Sequence, residues 1–381
     1  MKIRTGLAGL FFFFFTGCSG SPTYTEAQGF NPGHEPQVRV WLRSLGNADE
    51  VTIGGAGEVL VDLEGVSLRL PLPLEIERHG EQLWMNGRNA NVSELTVHPG
   101  EADLEVRGTA YSGFLVVRAA EQLQLINMVA LDDYTLGVLR GELPLPHVDP
   151  AAAGAQAIAV RAYTMYYIEK KRDVYDVDDT TLYQRYVGQK LAPDDLNLRS
   201  GVYATRGLYM SYRGRPLKAY YHSTCGGSTT DEATAFGEPN RLPLSGVDCN
   251  SCQQSKYWRW ATVVPEQKIL EAARLKGPLQ GIEVADQGRG GRARTLRLRA
   301  GGKTKIVPAG DFRLRVGPSL LRSTYIVSTG RVAGGWKIEG GGWGHGVGLC
   351  QMGALGLAGK GLSATEIAEH YYPGAQTRKA Y

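Results

Sequence analysis

A single glutamate in the first half of the chain is suited to proton transfer. Glu142 ends a predicted helix that Asp132 or Asp133 caps at its start, because Pro144 and Pro146 follow and do not continue a helix. The carboxyl end of a helix is partly negative, which disfavours a carboxylate and raises its pKa. A carboxyl group with a raised pKa can donate a proton near neutral pH. The alternative for such an isolated residue is a solvated glutamate at a helix end.

Two histidines lie in glycine-flanked loops, where backbone can approach a ligand closely. His222 precedes Ser223-Thr-Cys-Gly-Gly227, and His345 lies between two glycines after Trp343. We expect the two histidines to line a binding groove, with Gln351 beside them and the Trp343 ring available for stacking. The alternative for each histidine is a purely structural role.

A second predicted helix carries an arginine on its inward stripe. Asp149 and Pro150 have the residue types of an N-cap and a first helical position, and the helix is expected to run to about Lys171. Arg161 shares a stripe with Ile158, so it points toward packed structure and needs a partner there. Neutralising a buried carboxylate is one such role.

Composition and the first residues set the class of protein. The chain has 381 residues, with 42 Lys and Arg against 38 Asp and Glu. This nearly balanced charge does not indicate the strongly basic surface that is typical of nucleic-acid-binding proteins. Residues 1–17 have the basic start and short apolar run of a signal peptide. Small residues before Cys18 are similar to a bacterial lipobox, so we expect an exported lipoprotein anchored by lipid on Cys18, with simple secretion as the alternative. Residues 18–37 are expected to be a flexible tether.

The remaining pattern predicts a mixed α+β fold. Residues 38–131 alternate apolar and polar side chains between turns such as Asn86-Gly87, which is typical of β-strands. Residues 132–381 form the second region, with short helices and strands. Between 173 and 320 we expect turns, short strands and a helix from Pro265 to Leu275.

Two more helices are expected near the end of the chain. One runs from about Leu349 to Ala358. The other begins after Ser363, which has capping-box spacing to Glu366, and stops before Pro373.

Several ordered segments together resemble the SpoIID family, also called the SpoIID/LytB or amidase-enhancer family. They are Asp133 to Pro144, Ala155 to Tyr163, Tyr221 to Thr229, Gly342 to Ala354 and His370 to Gly374. The resemblance implies a lytic transglycosylase that cleaves peptidoglycan glycan strands after N-acetylmuramic acid, preferentially strands without stem peptides. It places the catalytic glutamate on Glu142 and the functional arginine on Arg161, which would bind the glycan or brace Glu142 if it does not simply neutralise a carboxylate.

The resemblance also implies where glycan contacts and partners lie. His222, Ser223, Thr224, Trp343, His345 and Gln351 are the expected glycan-binding residues, and a cell-wall amidase is a candidate partner. A noncatalytic glycan-binding or amidase-enhancer module is the main alternative, and a zinc hydrolase is disfavoured because no His-Glu-x-x-His helix is present. Some members bind zinc just after the second helix, but the matching stretch here, Tyr175 to Tyr186, has neither His nor Cys.

Four cysteines remain when Cys18 is set aside, and in an exported protein an even number favours disulfides. The family places two Gly-rich motifs, Tyr221 to Thr229 and Gly342 to Ala354, together around the groove, so we expect Cys225 to pair with Cys350. Cys249 and Cys252 form a C-x-x-C pair that can close on itself, so we expect a second disulfide there. The alternative is a structural zinc site whose ligands are the four cysteines, or three of them and His222. No cofactor is expected to be needed for catalysis.

Overall fold

A computed structural model describes residues 34–46 and 48–381. The predicted signal peptide, the predicted lipidation site Cys18 and most of the predicted tether lie outside the described residues. Within the described part of the chain, no helix is long and apolar enough to cross a membrane.

The first region is built from short strands. They are β1 (Gln37–Trp41), β2 (Glu50–Gly54), β3 (Glu58–Leu63), β4 (Val66–Pro71), β5 (Leu74–His79), β6 (Gln82–Met85), β7 (Arg88–Asn89), β8 (Glu94–His98), β9 (Leu104–Val106), β10 (Thr109–Tyr111), β11 (Phe114–Ala119) and β12 (Leu123–Ala130). Buried and exposed side chains alternate in some of them, such as β3 and β9. Asn86 and Gly87 both have positive φ, as a two-residue hairpin turn between β6 and β7 requires. The β-rich prediction for this region is confirmed.

These strands form two sheets that share one buried core. The described strands of the first sheet have the order β13-β1-β12-β11-β8-β3-β4, where β13 (Val177–Asp178) comes from the second region. The second sheet has the order β10-β9-β2-β5-β6-β7. Since β13 pairs in parallel with β1, the second region completes the first sheet and packs on the same core.

Eight helices are described in the second region: α1 (Leu131–Glu142), α2 (Pro150–Ile168), α3 (Asp195–Ala204), α4 (Glu232–Phe236), α5 (Glu266–Ala273), α6 (Ala309–Val316), α7 (Gln351–Ala358) and α8 (Ala364–Tyr371). Helix α2 is buried around nearly its whole circumference, so it is the central helix. Its Asp149 cap, which accepts from the amide of Ala151 at 2.8 Å, is confirmed. The capping box of Ser363 and Glu366 is confirmed as well.

Two helix predictions need correction. Helix α1 begins earlier than predicted, at Leu131, and its N-cap is Ala130, so Asp132 and Asp133 lie in the first turn and do not cap the helix. The expectation of one helix between residues 173 and 320 is wrong, because α3, α4 and α6 accompany α5 there. Helix α3 buries only Leu198, Gly201 and Val202, which is too short an apolar stripe to stand out in the sequence.

Longer strands in the second region build a separate lobe. Besides β13, the described strands of the second region are β14 (Leu208–Tyr212), β15 (Arg215–Pro216), β16 (Tyr221–His222), β17 (Trp260–Val264), β18 (Leu279–Gln287), β19 (Ala293–Ala300), β20 (Lys303–Pro308), β21 (Ile326–Val332), β22 (Gly335–Gly340), β23 (Leu349–Cys350) and β24 (Gln376–Lys379). Strands β17 to β22, with α5 and α6, enclose their own hydrophobic core, and we call residues 260–340 the insert lobe. Outside it, the parallel pair of β16 and β23 joins the two Gly-rich motifs.

Candidate active site

Glu142 is the last residue of α1, as predicted, and its side chain is half-buried. Its Oε1 accepts a 2.8 Å hydrogen bond from the backbone amide of Arg185. Burial raises the pKa of the Glu142 carboxyl, while the Arg185 amide and guanidinium lower it by a smaller amount. The direction expected from the sequence is therefore confirmed, but its main cause is desolvation and not the helix end.

A glycine next to Glu142 allows a distant segment to reach the carboxylate. A Cβ on Gly141 would lie 2.3 Å from the carbonyl oxygen of Arg185, so only glycine fits this approach. The Arg185 side chain also donates to the Gly141 carbonyl at 3.4 Å. The stretch from Tyr175 to Tyr186 thus supplies a hydrogen bond to the glutamate, a role that the sequence did not indicate.

A hydrogen-bonded network of neutral side chains borders Glu142. The Tyr221 hydroxyl donates to Gln184 Oε1 at 3.2 Å, and Gln184 Nε2 donates to the Tyr134 hydroxyl at 3.3 Å and to Thr164 Oγ1 at 2.9 Å. Burial and, after it, the charge of Glu142 raise the pKa of Tyr221 well above its usual value. The phenols are therefore neutral, and no carboxylate is among the described groups that shift the pKa of Glu142.

The second Gly-rich motif reaches the end of α1 through Gln351. Strand β16 pairs Tyr221 with Leu349 and His222 with Cys350. This register brings Gln351 Nε2 to 3.2 Å from the backbone carbonyl oxygen of Glu142. Gln351 is buried, so the structure gives it a positioning contact with the helix end.

The histidines form a group of their own on the other side of β16. Successive side chains of a strand point to opposite faces, so Tyr221 faces Glu142 and His222 faces away. The rings of His222 and His345 are 5.6 Å apart, and His345 also contacts Tyr220 and Phe236. Val347 bonds both histidines, accepting from His222 Nδ1 at 3.2 Å and donating to His345 Nδ1 at 3.1 Å.

Both histidines are neutral at physiological pH. Burial, followed by the charge of Arg292, lowers the pKa of His345 to about 3. Burial also lowers the pKa of His222 well below its usual value. His222 is buried, and its Nε2 has no hydrogen-bond partner among the described residues. His345 is half-buried, so it is more accessible to solvent than His222.

Thr224 is not available for a glycan, contrary to expectation. It is fully buried, and its hydroxyl bonds to the Ser255 hydroxyl at 2.8 Å. Its backbone pairs with that of Trp343. The Trp343 ring is half-buried and packs edge-on against the Tyr257 ring, with the ring centroids 4.2 Å apart. Ser223 is also half-buried. The members of the expected binding set that keep exposed surface are thus Ser223, Trp343 and His345.

Arg161 does not reach Glu142. Its guanidinium has no exposed surface and bonds to Asp132 Oδ1 at 2.6 Å and to the Val202 carbonyl at 2.8 Å. Its other bonds are to Thr205 and to the carbonyl of Leu208. Of the roles considered for Arg161, these contacts match the neutralisation of a buried carboxylate, and a catalytic role for Arg161 stays a prediction.

The four cysteines carry no disulfide, which corrects the predicted pairing. Cys225, Cys249, Cys252 and Cys350 are all buried and free. Their sulfurs lie within 4.8 Å of one another, and Cys225 Sγ is 3.4 Å from Cys252 Sγ. A disulfide needs sulfurs about 2.05 Å apart. The sulfurs converge on a common centre and not in two pairs.

Comparison with known proteins places the chain in a family. The model of the SpoIID family, described as stage II sporulation protein, matches residues 119–212. An uncharacterised protein of Brachyspira hyodysenteriae is 30% identical over 270 residues, which cover 69% of this chain and 71% of that protein. The chain belongs to the SpoIID family.

Relatives within the SpoIID family have two kinds of name. The stage II sporulation protein D of Bacillus amyloliquefaciens is 28% identical over 278 residues, 67% of this chain and 76% of the relative. The amidase enhancer of Bacillus subtilis is 25% identical over 289 residues, but these cover only 39% of that protein. The resemblance found in the sequence motifs is thus confirmed at the level of the SpoIID family.

Proposed function

We propose that this SpoIID protein is a lytic transglycosylase acting on cell-wall glycan strands, with Glu142 as its general acid and base. The observation that carries the proposal is a half-buried glutamate with a raised pKa and no second carboxylate among the described groups that act on it. Hydrolytic glycosidases use two carboxylates. A reaction in which the sugar supplies its own nucleophile needs only one.

The chemistry follows from one residue changing its protonation state. Protonated Glu142 donates its proton to the glycosidic oxygen, and the bond from that oxygen to C1 of N-acetylmuramic acid breaks. The resulting carboxylate takes the proton of the 6-hydroxyl of the same sugar while that oxygen bonds to C1. The glutamate is protonated again, no water is consumed, and the product ends in a 1,6-anhydro ring.

The neighbours of Glu142 would set its position and its pKa. The Arg185 amide orients the carboxylate, and Gln351 holds the backbone carbonyl of Glu142. Ser223 and Trp343 would contact the glycan from the surface they retain, whereas His345 lies with His222 on the other side of β16. We also propose that the protein is exported, is held at the membrane through lipid on Cys18, and acts on peptide-free glycan, with a cell-wall amidase as a candidate partner.

Replacing the acid tests the proposal against a matched residue of the same helix. Glu142→Gln keeps the shape and the hydrogen bonds but cannot donate and then accept the proton, so cleavage of peptide-free glycan strands should fall at least about a hundredfold. Asp133→Asn is the control, because the pKa of Asp133 is also raised by burial and it lies at the other end of α1. Products are identified by mass spectrometry and binding by cosedimentation.

The expected result is loss of cleavage with retained binding in Glu142→Gln, and near wild-type activity in Asp133→Asn. Undiminished activity of Glu142→Gln would overturn the assignment of the acid. A wild-type protein that binds glycan without cleaving it would instead be the noncatalytic module suggested by the amidase-enhancer name of one relative.

A further inference from the structure

The strongest unassigned feature is the cysteine cluster below the two Gly-rich motifs. Its members come from three segments that are far apart in the chain: Cys225 follows β16, Cys249 and Cys252 share one loop, and Cys350 is the N-cap of α7. All four are essentially without exposed surface. Because the segments are far apart in the sequence, only the tertiary fold brings the four thiols together.

The spacing of the sulfurs fits a tetrahedral metal site. With zinc–sulfur bonds of roughly 2.3 Å, a tetrahedron has sulfur–sulfur edges of about 3.8 Å. The observed separations, with 3.4 Å between Cys225 and Cys252 and none above 4.8 Å, bracket that edge length. Four sulfur ligands at tetrahedral spacing are typical of zinc or of iron–sulfur centres.

Hydrogen-bond donors surround the sulfurs as thiolates require. The amides of Cys225 and Gly353 point to Cys350 Sγ at 3.2 and 3.3 Å, and the amide of Gly227 points to Cys225 Sγ at 3.4 Å. The Tyr371 hydroxyl lies 3.2 Å from Cys249 Sγ. Donors of this kind fix the orientation of metal ligands and stabilise their charge.

A buried arginine beside the cluster lacks a carboxylate partner. Arg292 is fully buried, and among the described residues no Asp or Glu forms an ion pair with it. Its guanidinium donates to the carbonyls of Gly344 at 2.9 Å and Cys225 at 3.1 Å, while its Nε has no hydrogen-bond partner in the part of the chain that the structure describes. An uncompensated buried cation is unfavourable. Neutral thiols or two disulfides leave this charge unbalanced, whereas four thiolates around a divalent ion carry two net negative charges.

We propose that Cys225, Cys249, Cys252 and Cys350 bind one zinc ion as a tetrathiolate, with Arg292 as its buried counter-charge. Binding converts four thiols to thiolates and releases four protons, and no oxidation or reduction takes place. The ion is structural, since all four positions around it are filled by sulfur. It joins the segment of Ser223 to that of Gln351, so it fixes the motifs that border Glu142 without entering the chemistry.

Metal content of the full chain, purified without added metal or chelator, tests the site directly. We expect about one zinc per chain by elemental analysis and four thiols that resist alkylation until the ion is removed. Cobalt exchanged for zinc should give the visible absorption of a tetrahedral thiolate complex. Iron in place of zinc, or a metal-free chain whose mass is lower by the four hydrogens lost in two disulfides, would overturn the proposal.

Variants separate ligands from neighbours. Cys252→Ser should lose the zinc, and Ser251→Ala, in the same loop, should keep it. Arg292→Met leaves every sulfur in place and should lower zinc affinity by about 10- to 100-fold in competition with a chelator, which keeps the proposal testable if Cys252→Ser does not fold. Unchanged affinity in Arg292→Met would contradict the counter-charge. Glu142→Gln should keep its zinc, so failure of the proposed activity and failure of the metal site are distinguishable.

Discussion

Glu142 and Asp133 are both carboxyls of α1 with raised pKa values, yet they face different neighbours. The charges that act on Asp133 include Glu35, Asp132 and Arg140, whereas Glu142 is influenced by Arg185 alone after burial. The pKa of Glu142 therefore depends on the charge of one neighbouring cation, Arg185. This effect is testable through the pH dependence of cleavage.

Arg185→Met should move the alkaline limit of activity to higher pH. The active form in the first step is the protonated acid, so the rate falls as pH rises through the pKa of Glu142. The guanidinium lowers that pKa, and its removal should raise it further and extend activity toward alkaline pH. The profile of kcat/KM against pH on glycan strands measures the shift. Arg185→Lys keeps the charge and should leave the limit in place; a limit that moves to lower pH in Arg185→Met would contradict the account.

Residue types alone predicted Glu142 at a helix end and the direction of its pKa shift. They did not predict burial as the main cause, because the covering residues Arg185, Gln184 and Tyr221 are brought in from distant segments. Arg161 shows the same limit. Its stripe on α2 indicated an inward side chain, but only the tertiary packing identifies Asp132 as its partner.

At the scale of elements, the end of α1 depends on how closely the loop carrying Arg185 approaches it. Gly141 and Gly137 both lie where a Cβ would meet this loop, at 2.3 Å from the Arg185 carbonyl oxygen and 2.4 Å from the Tyr186 ring. These glycines are helical, so the requirement is space and not an unusual backbone conformation. The hydrogen bond to Glu142 depends on that space.

Gly141→Ala should therefore impair both the site and the fold. The loop must move away from the new methyl group, which weakens the bond from the Arg185 amide to Glu142. We expect activity to fall by up to about a hundredfold, since misplacement of a catalytic group by about 1 Å has that effect, and unfolding free energy to fall by about 1–3 kcal/mol.

Gly330→Ala is the control for this substitution, since a Cβ at Gly330 meets nothing within 4 Å. Activity assays and urea denaturation compare the two variants. Equal behaviour of Gly141→Ala and Gly330→Ala would show that the close approach does not matter.

Elements with strong local signals were predictable, and weakly marked ones were not. The cap of α2 and the capping box of α8 were evident in the sequence. The insert lobe was missed although β19 alternates buried Leu296 and Leu298 with Arg297 and Arg299, a pattern of period two that indicates a strand. Its separate core depends on long-range pairing that one sequence does not reveal.

At the scale of the whole molecule, the site is assembled from segments around residues 142, 185, 221 and 351. The parallel pairing of β16 with β23 brings the two Gly-rich motifs together, and Gln351 then contacts the end of α1. The motifs predicted which segments matter through their resemblance to the SpoIID family, but not how they meet. The division into a glutamate side and a histidine side of β16 follows from strand geometry that only the pairing defines.

The cysteines show the same limit on the molecular scale. Their even number and the predicted export favoured two disulfides. The spacing of the cysteines in the sequence does not show which charged groups surround them in the fold. The structure adds the buried Arg292 and the convergence of four sulfurs, and both favour an anionic centre. A metal ion bound there would link the segments that border Glu142 to one another.

In the proposed reaction the sugar's own hydroxyl cleaves the glycan, with Glu142 as the general acid and base. Digesting peptide-free glycan strands with the full chain in water labelled with heavy oxygen, followed by mass spectrometry of the new ends, tests it most directly. If the sugar's hydroxyl is the nucleophile, the new ends are 1,6-anhydro-muramyl ends that lack the mass of one water and contain no label. Reducing ends that carry heavy oxygen would show hydrolysis and contradict it.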